Sequence, residues 1–122
     1  MPSKQYFPSM AQAILTSDKM MKENPKLVKA MVQGTLKALK FIMDDPAKAA
    51  AEYVKAVPQH KGKEKLMTAI FKNFTDRTYA GQKVLGMNDP ATLEKLQDFY
   101  MKQGIIRKKT PVGDLYTNEF LK

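Results

Sequence analysis

The sequence predicts a mainly α protein of about five helices preceded by one short strand. Two observations carry that reading. Apolar residues recur at three- and four-residue spacing through most of the chain, and an Asn or Asp stands before proline three times, at Asn24-Pro25, Asp45-Pro46 and Asp89-Pro90. Each such step reads as an N-cap followed by the first helical residue. The side-chain oxygen accepts from free first-turn amides, and proline loses nothing where its missing N–H would be unpaired.

The strand expectation falls on Ala11-Gln12-Ala13-Ile14-Leu15-Thr16, ahead of Ser17 as the cap of a helical turn at Asp18 to Glu23. A first long helix should run from about Pro25 to Met43, with Val28, Val32, Leu36, Leu39 and Met43 on one side and Leu27, Met31 and Ile42 widening the stripe. A second should span about Pro46 to Val57, with Ala47, Ala50, Ala51 and Val54 offering a small-residue face and Pro58 marking its end. The spacing of Leu66, Met67, Ile70, Phe71 and Phe74 predicts a helix over about Lys63 to Thr78. After a loop containing Gly81 and Gly86, the last helix should occupy about Pro90 to Gln103, with Gly104 as its left-handed C-terminal residue. A basic linker then leads to a short turn around Asp114 to Leu121. The strand is an orphan, because nothing else in the sequence has the β-branched character to pair with its backbone. Its partners are expected to lie outside this sequence.

At 122 residues the chain has room for one domain with a modest core. Its hydrophobic share of 43% and charged share of 27% are ordinary globular usage, which excludes wholesale disorder. No apolar run approaches the roughly 20 residues of a membrane span, and the start Met1-Pro2-Ser3-Lys4-Gln5-Tyr6 does not read as an export signal. The absence of cysteine removes disulfides, thiolate metal sites and cysteine nucleophiles. A net charge of +9 invites acidic partners, yet only Arg77 and Arg107 among the 21 basic residues are arginines, and the lysines are spread along the chain. Forked phosphate and base recognition favours arginine, so nucleic acid is not the expected partner.

Catalytic and metal chemistry is not expected. His60 is the only histidine and stands in the polar stretch Gln59-His60-Lys61-Gly62, where it reads as a solvated loop residue. Ser3, Ser9 and Ser17 lack the Gly-x-Ser-x-Gly context of a nucleophile. Gly81 to Gly86 has the glycine spacing of a phosphate loop, but Met87-Asn88 replaces the Lys-Ser/Thr pair, leaving a connector. Asp45 and Asp114 read as caps and Glu119 as a solvated first-turn acid. Among nine methionines, Met31, Met43 and Met67 fall on core stripes and read as gap-fillers.

Three stretches together resemble the C-terminal part of periplasmic solute-binding proteins of ABC importers, of the thiamine-precursor, sulfonate, nitrate and taurine type. They are Ile14 to Ala30, with Ser17 and Asn24-Pro25; Leu36 to Ala50, with Asp45-Pro46 before an alanine-rich run; and Leu85-Gly86-Met87-Asn88-Asp89-Pro90 through Gly104-Ile105-Ile106 to the terminal Asp114-Leu115-Tyr116-Thr117-Asn118-Glu119-Phe120-Leu121. The likeness runs from about Tyr6 to the end, with Met87 departing from the aromatic residue frequent in that family.

The resemblance implies that the chain is a C-terminal fragment of a two-lobed α/β fold of the type II periplasmic-binding class. Residues 1–16 would be the inter-lobe crossing and return strand, and residues 17–122 the helical C-terminal region of the first lobe. It implies a small organic solute, ABC permease subunits as partners through the full receptor, no cofactor and no catalysis. The location it implies is periplasmic, or extracellular and lipid-anchored in a bacterium without an outer membrane. Pocket residues would lie at the crossing, where Tyr6 has a ring to stack on a ligand and Ser9 a hydroxyl to bond one. Tyr116 and Asn118 would anchor the C-terminus. An uncovered strand edge or helix face would favour self-association of the fragment. The competing reading is an independent basic helical module that engages an acidic protein or nucleic acid.

Overall fold

The computed structural model describes residues 12–122, and it is mainly helical. The α-helices are α1 (Asp18–Glu23), α2 (Pro25–Asp44), α3 (Pro46–Ala56), α4 (Glu64–Thr78) and α5 (Pro90–Lys102), joined by 3₁₀ turns at Pro58–His60, Val112–Asp114 and Glu119–Leu121. No strand forms among the described residues. Residues 12–17 run without regular structure, and Leu15 is 89% exposed, so the expected strand is not made there. The reason is the orphan problem itself: with no neighbouring strand, an extended segment gains no ladder bonds. Ala11 lies outside the described residues.

Cap chemistry sets most helix starts. Ser17 Oγ accepts from the Met20 amide at 3.1 Å, Asp45 Oδ1 from Lys48 at 2.9 Å, and Asp89 Oδ1 from Ala91 at 3.1 Å. Asn24 departs from expectation, since its side chain makes no cap bond. It ends α1 as well as starting α2, and its backbone does both jobs: its N–H donates to Met20, while its carbonyl accepts from Leu27 and Val28. Gly104, at φ 68°, closes α5 with the two bonds of a Schellman end, Ile105 N–H to Tyr100 and Gly104 N–H to Met101.

The core lies between α3 and α4. Ala50 is fully covered, Val54 and Met67 are buried beside it, and Tyr53 and Phe71 pack on them with their rings edge to face at 5.5 Å. Alanines on α3 let α4 approach closely. Helix α2 lies against both, but contributes only Val28 as a buried side chain. Its stripe is broader than its cover: Val32, Leu36, Leu39 and Ile42 are half-buried, whereas Leu27 and Met31 are 61% and 63% exposed. The expectation that Met31 and Met43 fill the core is therefore corrected, and of the three only Met67 is buried.

The second region is α5 with the tail behind it. Gln97, buried on α5, accepts from Thr110 N–H at 2.7 Å and donates to the Thr110 carbonyl at 3.0 Å. Asn118 repeats the device, accepting from the Asn88 amide at 3.0 Å and donating to its carbonyl at 3.2 Å. Asn118 thus anchors the C-terminus as expected, and Tyr116 beside it is half-buried. Asp114 is not a cap; it is the third residue of the turn Val112–Asp114. The last turn packs on α2, where Leu121 and Leu36 approach Gly86. At φ 79°, with a Cβ destined to meet Leu36 Cδ2 at 2.5 Å, Gly86 is the residue the junction requires.

Candidate functional site

Tyr6 and Ser9, the residues singled out for solute contact, lie outside the described residues. Gln12, the first of the described residues, has its Oε1 accept from the Tyr79 hydroxyl at 3.4 Å. Tyr79 is the C-cap of α4, buried, with its ring edge-on to Phe74 at 5.4 Å. Burial pushes its hydroxyl above the ordinary tyrosine range, so it stays protonated and donates at neutral pH. Thr75, buried in the same helix end, turns its hydroxyl back to the Phe71 and Lys72 carbonyls at 3.0 and 3.1 Å. Among the described residues, Gln12 is thus tied to the C-terminal end of α4.

Sequence reasoning did not single out Gln12 or Tyr79. The signal available was an aromatic residue directly after a helix end, in Thr78-Tyr79-Ala80-Gly81. Its partner, 67 positions away, has no local signature.

The other candidates resolve into structural roles. Gln82 Oε1 accepts from the Gly86 amide at 2.9 Å, so the glycine-spaced loop is closed by its own side chain. Asp44 pairs with Lys40 at 2.9 Å, Asp45 caps α3, and Glu119 is an exposed first residue of its turn. His60 is not the solvated residue expected. It ends the turn Pro58–His60 half-buried, its ring 5.5 Å from that of Tyr53, and Nδ1 is enclosed without a hydrogen-bond partner. The reason is the tight 3₁₀ turn after Pro58, which folds the ring back over α3. Among the described residues no cluster of acidic or histidine side chains has the makings of a metal site, and no helix is long and apolar enough to cross a membrane.

Two surface depressions are lined by described residues. One, of about 350 Å³, has Leu93, Leu96, Tyr100, Ile106 and Leu115 in its walls and Lys108 at its edge. The other, of about 440 Å³, lies over Ala51, Val54 and Pro58 with Lys55, Lys61 and Glu64 around it. The polar groups Gln97 and Thr110 in the first already satisfy one another.

A family model described as NMT1/THI5 like matches residues 1–49. The matched stretch, somewhat less than half of the chain, contains Tyr6, Ser9, Gln12, the Ser17 and Asp45 caps and the whole of α2. It supports the solute-binding family that the sequence resembles. No curated protein and no solved structure matches the chain.

Proposed function

We propose that the chain is the C-terminal portion of the solute-binding component of an ABC-type importer, holding a small organic solute and presenting it to membrane permease subunits. The observation that carries this reading is the NMT1/THI5 like match over residues 1–49, which falls on the segment where the resemblance puts ligand contacts. In this reading residues 1–16 cross between lobes and residues 17–122 belong to the first lobe. Tyr6 stacks on the solute, Ser9 hydrogen-bonds it, and the chemistry is binding without bond making or breaking. The anchored polar pair Gln12–Tyr79 fits such a role, since a crossing segment must be pinned to one lobe to transmit closure. The receptor works in the periplasm, or outside the cell on a lipid anchor.

The test is a titration of the isotopically labelled chain with a pyrimidine, an alkyl sulfonate and nitrate, followed by amide NMR. One of the three should shift resonances in residues 6–16 and at Tyr79, with weak affinity, and Tyr6→Ala or Ser9→Ala should abolish the shifts. Perturbation confined to lysine-bearing faces, elicited by duplex DNA and lost steeply between low and moderate salt, would overturn the reading in favour of a polyanion-binding module.

A further inference from the structure

We propose that the depression between α5 and the tail behind it binds a small amphiphilic anion, an aliphatic chain ending in a carboxylate. Its walls are Leu93, Leu96 and Tyr100 of α5 with Ile106 and Leu115 of the tail, around a volume of about 350 Å³. Small-molecule pockets span roughly 300–1,000 Å³, so the site suits a ligand at the small end of that range. The walls are apolar, and the one buried polar residue among them, Gln97, has its amide committed to the Thr110 backbone at 2.7 and 3.0 Å. A ligand body made of hydrocarbon therefore gains from displacing water here, whereas a polar body would leave its own groups without partners. The same amide clip ties the tail to α5, so the two walls stand in place before a ligand arrives.

Charge selects the head group. Lys108 is the one charged residue in the lining, and among the described residues it has neither an ion pair nor a hydrogen-bond partner for its ammonium. The acids closest to the clip, Glu94 and Asp98, are both engaged by Lys109, which leaves Lys108 for a carboxylate from outside. Over α5 and the tail to Leu115, Lys95, Lys102, Arg107, Lys108 and Lys109 outnumber Glu94, Asp98 and Asp114, so the local balance is positive and agrees in sign with the whole chain's +9. A chain against the leucine and isoleucine walls with its carboxylate at Lys108 satisfies both features at once. The inference does not depend on the solute-binding reading, since it uses neither Tyr6 nor Ser9.

Amide NMR of the labelled 122-residue chain, titrated with octanoate, tests it. Octanoate should produce saturable shifts at Leu93, Leu96, Ile106 and Leu115, while acetate, which has the head without the chain, and octylammonium, which has the chain with the opposite charge, should not. Lys108→Gln should weaken octanoate about two- to fivefold, the range of a solvent-exposed ion pair. Leu115→Ser should weaken it about tenfold by removing an apolar wall. Lys108 has no partner to lose and Leu115 is 45% exposed, so circular dichroism should show both variants folded as the native chain is. The absence of saturable shifts on α5 and the tail overturns the proposal, as does an equal response to octylammonium or acetate, or octanoate binding that both variants leave unchanged.

Discussion

Helices α3 and α4 meet through apolar side chains, Ala50 and Val54 against Met67 and Phe71, whereas α5 and its tail are joined in large part by side-chain amides that bond to backbone. The first arrangement is short-range and dense. The second holds long irregular stretches in place by giving their N–H and C=O groups a partner inside the protein, which a tail without strands or helices otherwise lacks. Apolar packing gives way cooperatively when a side chain is lost, while an amide clip gives way locally. The two regions should therefore respond differently to removal of a single group, and each prediction here breaks or sharpens that contrast.

The largest effect is expected at the α3–α4 core. Met67→Ala should cost about 2–4 kcal/mol of global stability, since it removes a buried side chain from a small core that has little else to collapse into the space. Urea unfolding followed by circular dichroism measures this, and the loss should appear as a lower midpoint with the slope retained.

At the tail, Gln97→Leu keeps the volume but leaves both Thr110 groups without their partner. A cost of about 1–2 kcal/mol is expected. It should appear as faster amide exchange in residues 106–115, with α3 and α4 exchanging as before. Uniform acceleration through the whole chain would mean that the two regions are one cooperative unit.

The smallest effects are electrostatic, at the two ends of the α5 region. Hydrogen bonds from the Thr92 hydroxyl and the Ala91 amide hold the Asp89 carboxyl below the ordinary aspartate value of 3.8. A depressed folded-state value means that the cap's contribution is present above 3.8 and lost as pH falls through the lower folded value. Lys109 is the opposite case: hydrogen bonds to Asp98 and then Glu94 raise its ammonium above 10.5, so its contribution is full below 10.5 and lost as pH rises through the higher folded value. Both groups are solvent-exposed, and screening keeps these effects small. Amide exchange should show the first turn of α5 loosening in acid and the tail near residue 109 loosening in strong alkali, without loss of the α3–α4 core.

Helix boundaries were legible because their causes are local. An Asn or Asp before proline and a glycine after the last turn locate an end within a residue or so: α2 was expected over Pro25 to Met43 and spans Pro25–Asp44, and α5 was expected to end near Gln103 and ends at Lys102. The expected strand is not made over residues 12–16 for the complementary reason, since pairing is not a property of the segment that pairs. On α2 the periodicity correctly showed a wide apolar arc, but how much of an arc is covered depends on neighbours, and Leu27 and Met31 remained outside. Gln97 would be read from sequence as a surface residue. It is buried because Thr110, 13 positions on, supplies both a donor and an acceptor. The same holds for Tyr79, whose hydroxyl bonds Gln12, 67 positions away.

The most direct test of the functional account is a side-by-side titration of the chain with the small organic solutes and with duplex DNA, each at low and at physiological salt. The account predicts weak solute binding that is insensitive to salt and depends on Tyr6 and Ser9, with no DNA affinity beyond a nonspecific, salt-labile trace. Tight DNA binding with a steep salt slope, and no response to any solute, would contradict it.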